Sequence, residues 1–448
     1  MCLREGSSWF PGTPCSTDLT MKRFCIVSLG CPKNLVDSEY ICERFQQAGY
    51  ELTEDPALAE LVVVNTCSFL ASAVEESINT MLELIQDGKE VVCAGCLVSR
   101  YREELLKELP EIRFFAAAGS YAEIAEAYRR GESYLAPVFG SVVSRSFFTG
   151  RASAYLKLSE GCSNRCNYCL IPTIRGELVS KPFDEVIRES TLLADSGAKE
   201  LILVAQDLGS YGRDRPGERS LVELVERVSR IETVEWIRLM YVHPASLTKT
   251  LVELMKTNPK VCPYIDLPIQ HVSKKVLEAM GRKGGAQAVK EAFDLLEPAA
   301  GRIWIRSTVM VGHPGEDEDA FLELEQFIQE GLIGHLGVFT YSAEAGTRSS
   351  LMPDAPNRRV AQKRKNRIMA IQQGVSKKRL HKMKGERIQV LIEGYHPETD
   401  LLLKGRAPFM APEIDGMVVI NEGGADAGVI AEAEITGSWE YDLIGRIV

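Results

Sequence analysis

The sequence predicts an α/β protein in three successive parts: an N-terminal βαβ parallel-sheet domain, a central partial (βα)6 barrel, and a C-terminal small antiparallel β-barrel of OB-like kind. Three observations carry this reading. At about 150 residues per domain, a chain of 448 residues has room for three. Through most of it short apolar runs alternate with segments of helical period, the pattern of a parallel sheet covered by helices. Beyond residue 386 the helical period stops, and short strands with Gly-rich turns replace it.

In chain order, residues 1 to 20 cluster Gly, Ser, Pro and Thr ahead of Met21 and read as a disordered or artefactual extension. The first domain, 21 to 140, opens on the buried-strand candidates FCIVSLG (24–30), LVVVNTC (61–67) and EVVCAGC (90–96). Between them VDSEYICERFQQAG and SAVEESINTMLELIQDG place apolar residues every three or four positions, and each closes on a Gly suited to a helix C-terminus. The second domain, 148 to 380, holds the strand candidates YLKLSEG, LILVAQD, WIRLMYV, YIDLPIQ, IWIRSTVMVG and GVFTYS, separated by helical segments. Such units fit an incomplete parallel barrel, although an open doubly wound sheet would give the same string. The third domain, 384 to 448, carries IQVLIEGY, LLLKGRA, GMVVINEGG, VIAEAEITG and LIGRIV, enough for a small barrel.

With 45% hydrophobic and 25% charged residues the composition is that of a soluble globular protein. No run approaches the roughly 18 apolar residues of a membrane span. Residues 1 to 20 lack the apolar core of a secretory signal, so a cytoplasmic location is expected. There, metal or redox chemistry suits the six of the twelve cysteines that stand in tight or strand-end positions better than a disulfide framework. The net charge of −10 is segmented: residues 1 to 356 sum to −13, 357 to 384 to +11, and 386 to 448 to −8.

Cys162, Cys166 and Cys169 form C-x3-C-x2-C in the loop after YLKLSEG. Three thiolates this close can ligate three corners of a four-iron cluster and leave one iron open. Structural zinc would want a fourth Cys or His, and the adjoining GELVSKP supplies none. Cys31, Cys67 and Cys96 are distant in sequence, yet each stands at or just past the carboxyl end of a strand candidate. In a parallel sheet those ends share one edge, where ligands bind, so a second three-thiol site is expected. One buried Cys at a strand end is ordinarily core. The shared placement of three argues for ligation. Cys25, Cys42, Cys93 and Cys262 fall inside strand or helix patterns and read as core, Cys93 being a weak substitute ligand through its C-x-x-C with Cys96.

On these motifs the chain resembles, over nearly all of residues 21 to 448, the radical S-adenosylmethionine methylthiotransferases. The C-x3-C-x2-C loop resembles the superfamily signature, and a three-Cys N-terminal domain joined to a C-terminal TRAM barrel resembles methylthiotransferases in particular. SLGCPKNLVDSE, EGCSNRCNYCLIPTIRG, LPIQH and the closing YDL look like the branch that modifies a ribosomal protein rather than the branch that modifies tRNA. The resemblance implies two 4Fe-4S clusters and S-adenosyl-L-methionine as cofactors. It implies that the Cys162, Cys166 and Cys169 cluster binds S-adenosylmethionine at its open iron. By the same resemblance, one electron from a reductant would release a 5'-deoxyadenosyl radical able to take a hydrogen from an unactivated carbon. A second cluster, on Cys31, Cys67 and Cys96, would present sulfur, and a second S-adenosylmethionine would supply the methyl group. The implied substrate is an aspartate of the small-subunit ribosomal protein number twelve, free or on the ribosome; no membrane is involved, and the sulfur donor is left unspecified.

Further candidates follow from placement. Tyr168 is expected near the adenine, and Gln206, Gln270 and Arg306, at or within later barrel strands, could face the cofactor or simply hydrogen-bond in a polar barrel mouth. Gly312 and Gly315 could admit a ligand to the backbone, although a turn would use the same residues. His243 and His271 follow strands without a readable metal-ligand companion. The acidic C-terminal barrel has the wrong sign for nucleic acid and suits a basic ribosomal protein. Glu413, Asp415, Glu440 and Asp442 are its candidate contacts, Asp442 being alternatively a structural part of YDL. The basic run 357 to 384 is either a solvated helix face or a contact for the alternative substrate, tRNA. A non-catalytic iron-sulfur protein would need no such barrel.

Overall fold

The computed structural model describes residues 22–137, 145–146, 152–217, 220–299 and 301–448. The extension expected over 1 to 20 lies outside the described residues, as do the domain limits at 140 and 148.

The N-terminal domain runs β1 (Arg23–Ser28), α1 (Pro32–Gln47), β2 (Glu51–Leu52), β3 (Leu61–Thr66), α2 (Ala71–Gln86), β4 (Glu90–Gly95), α3 (Cys96–Glu108), β5 (Phe114–Ala117), α4 (Ile124–Arg129) and β6 (Tyr134–Leu135). Its parallel sheet has the order β2-β1-β3-β4-β5-β6. β3 is buried at every residue, which is why LVVVNT shows no alternation: a central parallel strand is covered on both faces. β1, β3 and β4 match the sequence expectation. β2 and β6 are two-residue edge strands and β5 has four residues, too short for a periodic signal.

The central domain continues with β7 (Ser153–Lys157), β8 (Ser159–Glu160), α5 (Ile171–Arg175), β9 (Val179–Ser180), α6 (Phe183–Asp195), β10 (Glu200–Val204), α7 (Leu221–Val228), β11 (Trp236–Leu239), α8 (Lys249–Thr257) and β12 (Val261–Asp266). Then come α9 (Lys274–Ala279), α10 (Gly285–Leu296), β13 (Trp304–Val311), α11 (Glu318–Gln329), β14 (Ile333–Thr340) and the long α12 (Arg358–His381). Its six parallel strands are ordered β14-β13-β12-β11-β10-β7, in chain order with no reversal. A doubly wound sheet reverses its order at a switch point, so the structure is the partial barrel. Leu156, Leu203, Leu239, Ile265 and Val309 are all fully buried in the main core cluster. The short β8 and β9 pair antiparallel and pinch the loop of Cys162, Cys166 and Cys169 between them.

β15 (Arg387–His396), β16 (Thr399–Arg406), β17 (Val418–Glu422), β18 (Ile430–Ser438) and β19 (Leu443–Ile447) close the C-terminal barrel in the order β15-β16-β17-β19-β18. One pair departs from the antiparallel expectation: β17 and β19 run parallel. The reason is parity, since a closed ring with an odd number of strands cannot alternate direction all the way round.

The two barrels are joined by buried charge. Glu200, at the start of β10, accepts from Arg238 Nε at 2.7 Å and from Arg406 Nη2 at 2.6 Å, and Arg406 also reaches Ser153 Oγ at 2.9 Å. Trp304 stacks on Phe409 with ring centroids 4.3 Å apart. α12 contains most of the basic run; one of its faces packs on β14 and α11, and most of the run's cations are exposed on the other, the solvated face expected for it. Arg364 pairs with Glu316 at 2.8 Å, Arg367 with Glu325, Lys377 with Glu440 at 3.0 Å, and Arg379 lies over Trp304. Among the described residues no helix is long and apolar enough to cross a membrane.

Candidate iron-sulfur and cofactor site

β1, β3 and β4 are neighbours, with Ser28 in register with Asn65 and Asn65 with Ala94. Cys67 follows β3 directly, Cys96 opens α3 directly after β4, and Cys31 caps α1 just past β1, so the three cysteines occupy one sheet edge. Gly30 holds φ +95° in the turn before Cys31, and a Cβ there would sit 2.8 Å from Cys67 Cβ, so glycine lets this turn press against Cys67. The buried Asn34 ties the edge together. Its Nδ2 donates to Leu29 O at 2.8 Å and Thr66 O at 2.9 Å, and its Oδ1 accepts from the Cys96 thiol at 3.7 Å.

Electrostatics distinguish the three thiols. Burial pushes Cys31 up, but Lys33, Arg175 and the N–H groups of Asn34 and Lys33 outweigh it and hold the thiol below its ordinary value. Burial raises Cys67, and it raises Cys96 to about 12 despite Arg175. Each feels the charge of Cys31. Among the described residues no three ligating side chains close on a point suited to a single metal ion. A cluster asks instead that each thiolate reach a different iron.

The second thiol loop is tied at several points. Cys162 N donates to Gly176 O at 3.0 Å, Asn167 N to Met280 O at 2.8 Å, and Cys169 N to Cys166 O at 3.1 Å. Arg282 donates to Tyr168 Oη at 3.0 Å and approaches Cys166 Sγ at 3.9 Å. Burial raises Cys162, and it raises Cys169 to about 12, with the neighbouring thiols adding to the shift. Iron binding releases such protons.

Arg175, at the end of α5, joins the two thiol sets. It donates to Asn34 Oδ1, pairs with Asp37 at 3.0 Å, and pairs with Glu160 at 2.6 Å. Lys157 pairs with the same two carboxylates. Burial would lift Glu160, but Arg175 and Lys157 hold it down at about 2. This network escaped the sequence reading, because a buried charge has no periodic signature. The available signal was an Asp on the otherwise buried face of α1 and an Arg closing the cysteine motif.

The remaining candidates fall in different places. Tyr168 lies beside the loop with Arg282 on its hydroxyl and His313 against its ring. Gln206 follows β10, with Nε2 donating to Glu160 at 3.3 Å and Oε1 buried without a partner among the described residues. Gln270 has φ +70° and is pinned by its backbone to Thr308 and Met310 of β13. Arg306 faces Asp266 at 3.2 Å and Asp415 at 3.3 Å, giving it partners in both barrels. At Gly312 the space of a Cβ is filled by Ala361 of α12, and at Gly315 it meets Ala279. Burial lowers His243 and His271 to about 3, so both are neutral near pH 7. Cys25, Cys93 and Cys262 are buried in apolar clusters, as is Cys42.

Asp415 corrects the expectation of an exposed substrate contact. Its side chain is 1% exposed and accepts from Tyr264 Oη at 2.7 Å and Ala411 N at 2.9 Å, because it seals the joint between the barrels. Asp442 accepts from Met417 N at 2.8 Å, the structural role allowed for it. Glu413 is exposed, and Glu440 is partly exposed beside Lys377.

Comparisons with known proteins agree with this layout. Residues 23–117 match the uncharacterized protein family UPF0004, 156–328 the radical SAM superfamily and 385–448 the TRAM domain. A solved radical S-adenosylmethionine methyltransferase, TsrM from Kitasatospora setae, superposes with a TM-score of 0.54 at 13% identity, covering 72% of this chain and 75% of that one. The central domain therefore has the radical S-adenosylmethionine fold. The ribosomal protein uS12 methylthiotransferase RimO of Geobacter sulfurreducens is 42% identical, covering 95% of this chain and 99% of its own. That of Aquifex aeolicus is also 42% identical, covering 94% and 96%. The chain belongs to this RimO family of radical S-adenosylmethionine methylthiotransferases, enzymes that use S-adenosylmethionine and 4Fe-4S clusters. The donor sets fit such groups: each holds three thiols beside guanidinium groups that offset thiolate charge, and the orphaned Gln206 Oε1 waits at the barrel mouth for a polar partner.

Proposed function

We propose that this chain adds a methylthio group to the β-carbon of an aspartate of ribosomal protein uS12, in the cytoplasm. Cys162, Cys166 and Cys169 hold one cluster, and Cys31, Cys67 and Cys96 hold the other. When bound, these clusters and S-adenosylmethionine supply radical hydrogen abstraction, sulfur and a methyl group.

The chain's own residues do the rest. Arg175 carries the proposal, because one side chain contacts Asn34 beside Cys96 and also closes the second thiol loop, so both sets open on one junction. Arg175 and Lys157 keep Asp37 and Glu160 paired there, fixing the two domains without an uncompensated charge. Tyr168, Arg282 and Gln206 line the barrel side and position the cofactor; the apolar core beneath excludes water.

The substrate reading is supported by charge. The C-terminal barrel carries twelve acids against four bases, and a ribosomal protein that contacts RNA is expected to be basic. α12 uses Arg364 and Arg379 within the chain, and its exposed cations keep tRNA as the second substrate reading to be tested. A one-electron reductant and a sulfur donor complete the reaction. Mass spectrometry of uS12 from cells with and without this gene should show a single methylthio increment that depends on the gene. An unmodified uS12 alongside gene-dependent methylthiolated adenosine in tRNA would move the assignment to the tRNA substrate.

A further inference from the structure

We propose that Lys33 binds the side-chain carboxylate of the target aspartate and thereby sets the amino-acid specificity of the reaction; the proposal rests on the uS12 reading for the identity of the substrate. Lys33 is in the first turn of α1, two residues past Cys31, and its Nζ sits 3.4 Å from the ring centroid of Tyr241. Tyr241 lies just past the carboxyl end of β11 with φ +64°, a conformation that costs a bulky residue energy and persists where its surroundings impose it. Its N–H donates to Asp266 Oδ2 at 3.1 Å. An ammonium from the thiol edge of one domain is thus held on the barrel mouth of the other, at the junction the substrate must reach.

The neighbouring cations are already engaged. Arg175 and Lys157 pair with Asp37 and Glu160, Arg306 with Asp266 and Asp415, and Arg282 donates to Pro268 O and Tyr168. Among the described residues no carboxylate lies within ion-pairing distance of Lys33 and no acceptor takes a hydrogen bond from it. It is half-buried, with the aromatic face beneath it and its other donors available to an incoming anion. The chemistry requires such a group. An aspartate attacked at its β-carbon brings a carboxylate one bond from the reacting atom into a mouth that already holds Asp266, Glu160 and the thiol sets. Burying that carboxylate unpaired is costly, and an ammonium on a flexible stem can meet it.

The test is a binding cycle on the anaerobic, cluster-loaded enzyme without reductant, so that no turnover occurs. Dissociation constants are measured for uS12 carrying its target aspartate and for uS12 with that aspartate changed to asparagine, against the parent, Lys33→Met and Lys33→Arg. The parent should prefer the aspartate form. Lys33→Met should weaken that form on the order of 30-fold or more while changing the asparagine form less than about twofold, both being measured on protein matched to the parent in iron per chain. Lys33→Arg should keep most of the preference and serves as the charged comparison with Lys33→Gln if the Met variant loads iron poorly. Equal weakening of both forms by loss of the charge, or a parent that does not distinguish them, overturns the carboxylate role and leaves the uS12 reading standing. A parent that binds neither form removes the substrate reading itself, and this inference with it.

Discussion

Arg175 and Asp37 meet at 3.0 Å between the thiol-bearing sheet and the cysteine loop, with side chains 2% and 0% exposed. Loss of one member of such a buried group costs more than loss of a matched pair, because Asp37 and Glu160 would then share Lys157 and leave one buried negative charge uncompensated. Arg175→Met should therefore destabilise the protein by about 3–5 kcal/mol. It should also lower iron retention at the Cys31 set, since Asn34 loses the group that fixes its Oδ1. Thermal unfolding and iron per chain check the two effects. An unchanged melting temperature with full iron would show that Arg175 does not hold the junction.

The two thiol sets should be separable. Cys162→Ala is expected to remove about half of the bound iron and abolish reductive cleavage of S-adenosylmethionine, since an open iron needs three protein thiolates on the others. Replacing Cys31, Cys67 and Cys96 together should also remove about half of the iron yet leave cleavage measurable, because the second loop is anchored by Gly176 and Met280 of the barrel itself. Iron analysis with 5'-deoxyadenosine quantification reads both. A triple variant with the iron content of the parent would end the argument from the shared sheet edge.

The parts legible in the sequence are those that repeat. LVVVNTC and EVVCAGC read as buried strands because a strand covered on both faces is a continuous apolar run, and Cys67 and Cys96 could then be placed at one edge by topology alone. Side-chain destinations were less visible. Asp415 looked like an exposed acid on a turn, because nothing local reveals that Tyr264, 151 residues earlier, donates to it. Arg306 stood correctly on a barrel strand, but its partners Asp266 and Asp415 come from two other segments. Lys33 lies in the quoted motif SLGCPKNLVDSE, and only folding brings it over Tyr241. Long-range polar pairing depends on which segments meet, and periodicity does not encode that.

Glu200 makes acid stability a test of barrel docking. Burial would raise its carboxyl, but Arg406 and Arg238 overcome this and hold it at about 2. A carboxyl depressed in the folded state stabilises it above the unfolded value near 4.3, and that contribution is lost as pH falls from about 4.3 through about 2. The amount at stake is on the order of 3 kcal/mol. In urea unfolding of the apoprotein, Glu200→Gln should lower the midpoint near neutrality, where it leaves the buried Arg238 without a carboxylate and Arg406 with Glu393 alone, and should flatten the acid limb across that window. A variant whose stability falls with acid as steeply as the parent's would show that another carboxyl carries the dependence.

The acidic face of the C-terminal barrel gives the last prediction, and the structure divides its four candidates. Asp415 and Asp442 are committed within the chain, so Asp415→Asn should loosen the joint with Arg306 and His335 and lower stability. Glu413 and Glu440 remain accessible, and the exposed Glu440 to Lys377 pair is worth little to folding. Changing both to Lys removes two negative charges and adds two positive ones on a surface whose negative field would draw in a basic ribosomal protein. Association with uS12 should slow several-fold at low salt, and the dependence of its rate on ionic strength should flatten, with dissociation changing much less. Stopped-flow binding at about 0.05 M and 0.5 M salt reads this directly. Should the double variant associate with uS12 at the parent's rate at both salts, this face of the barrel does not steer the substrate.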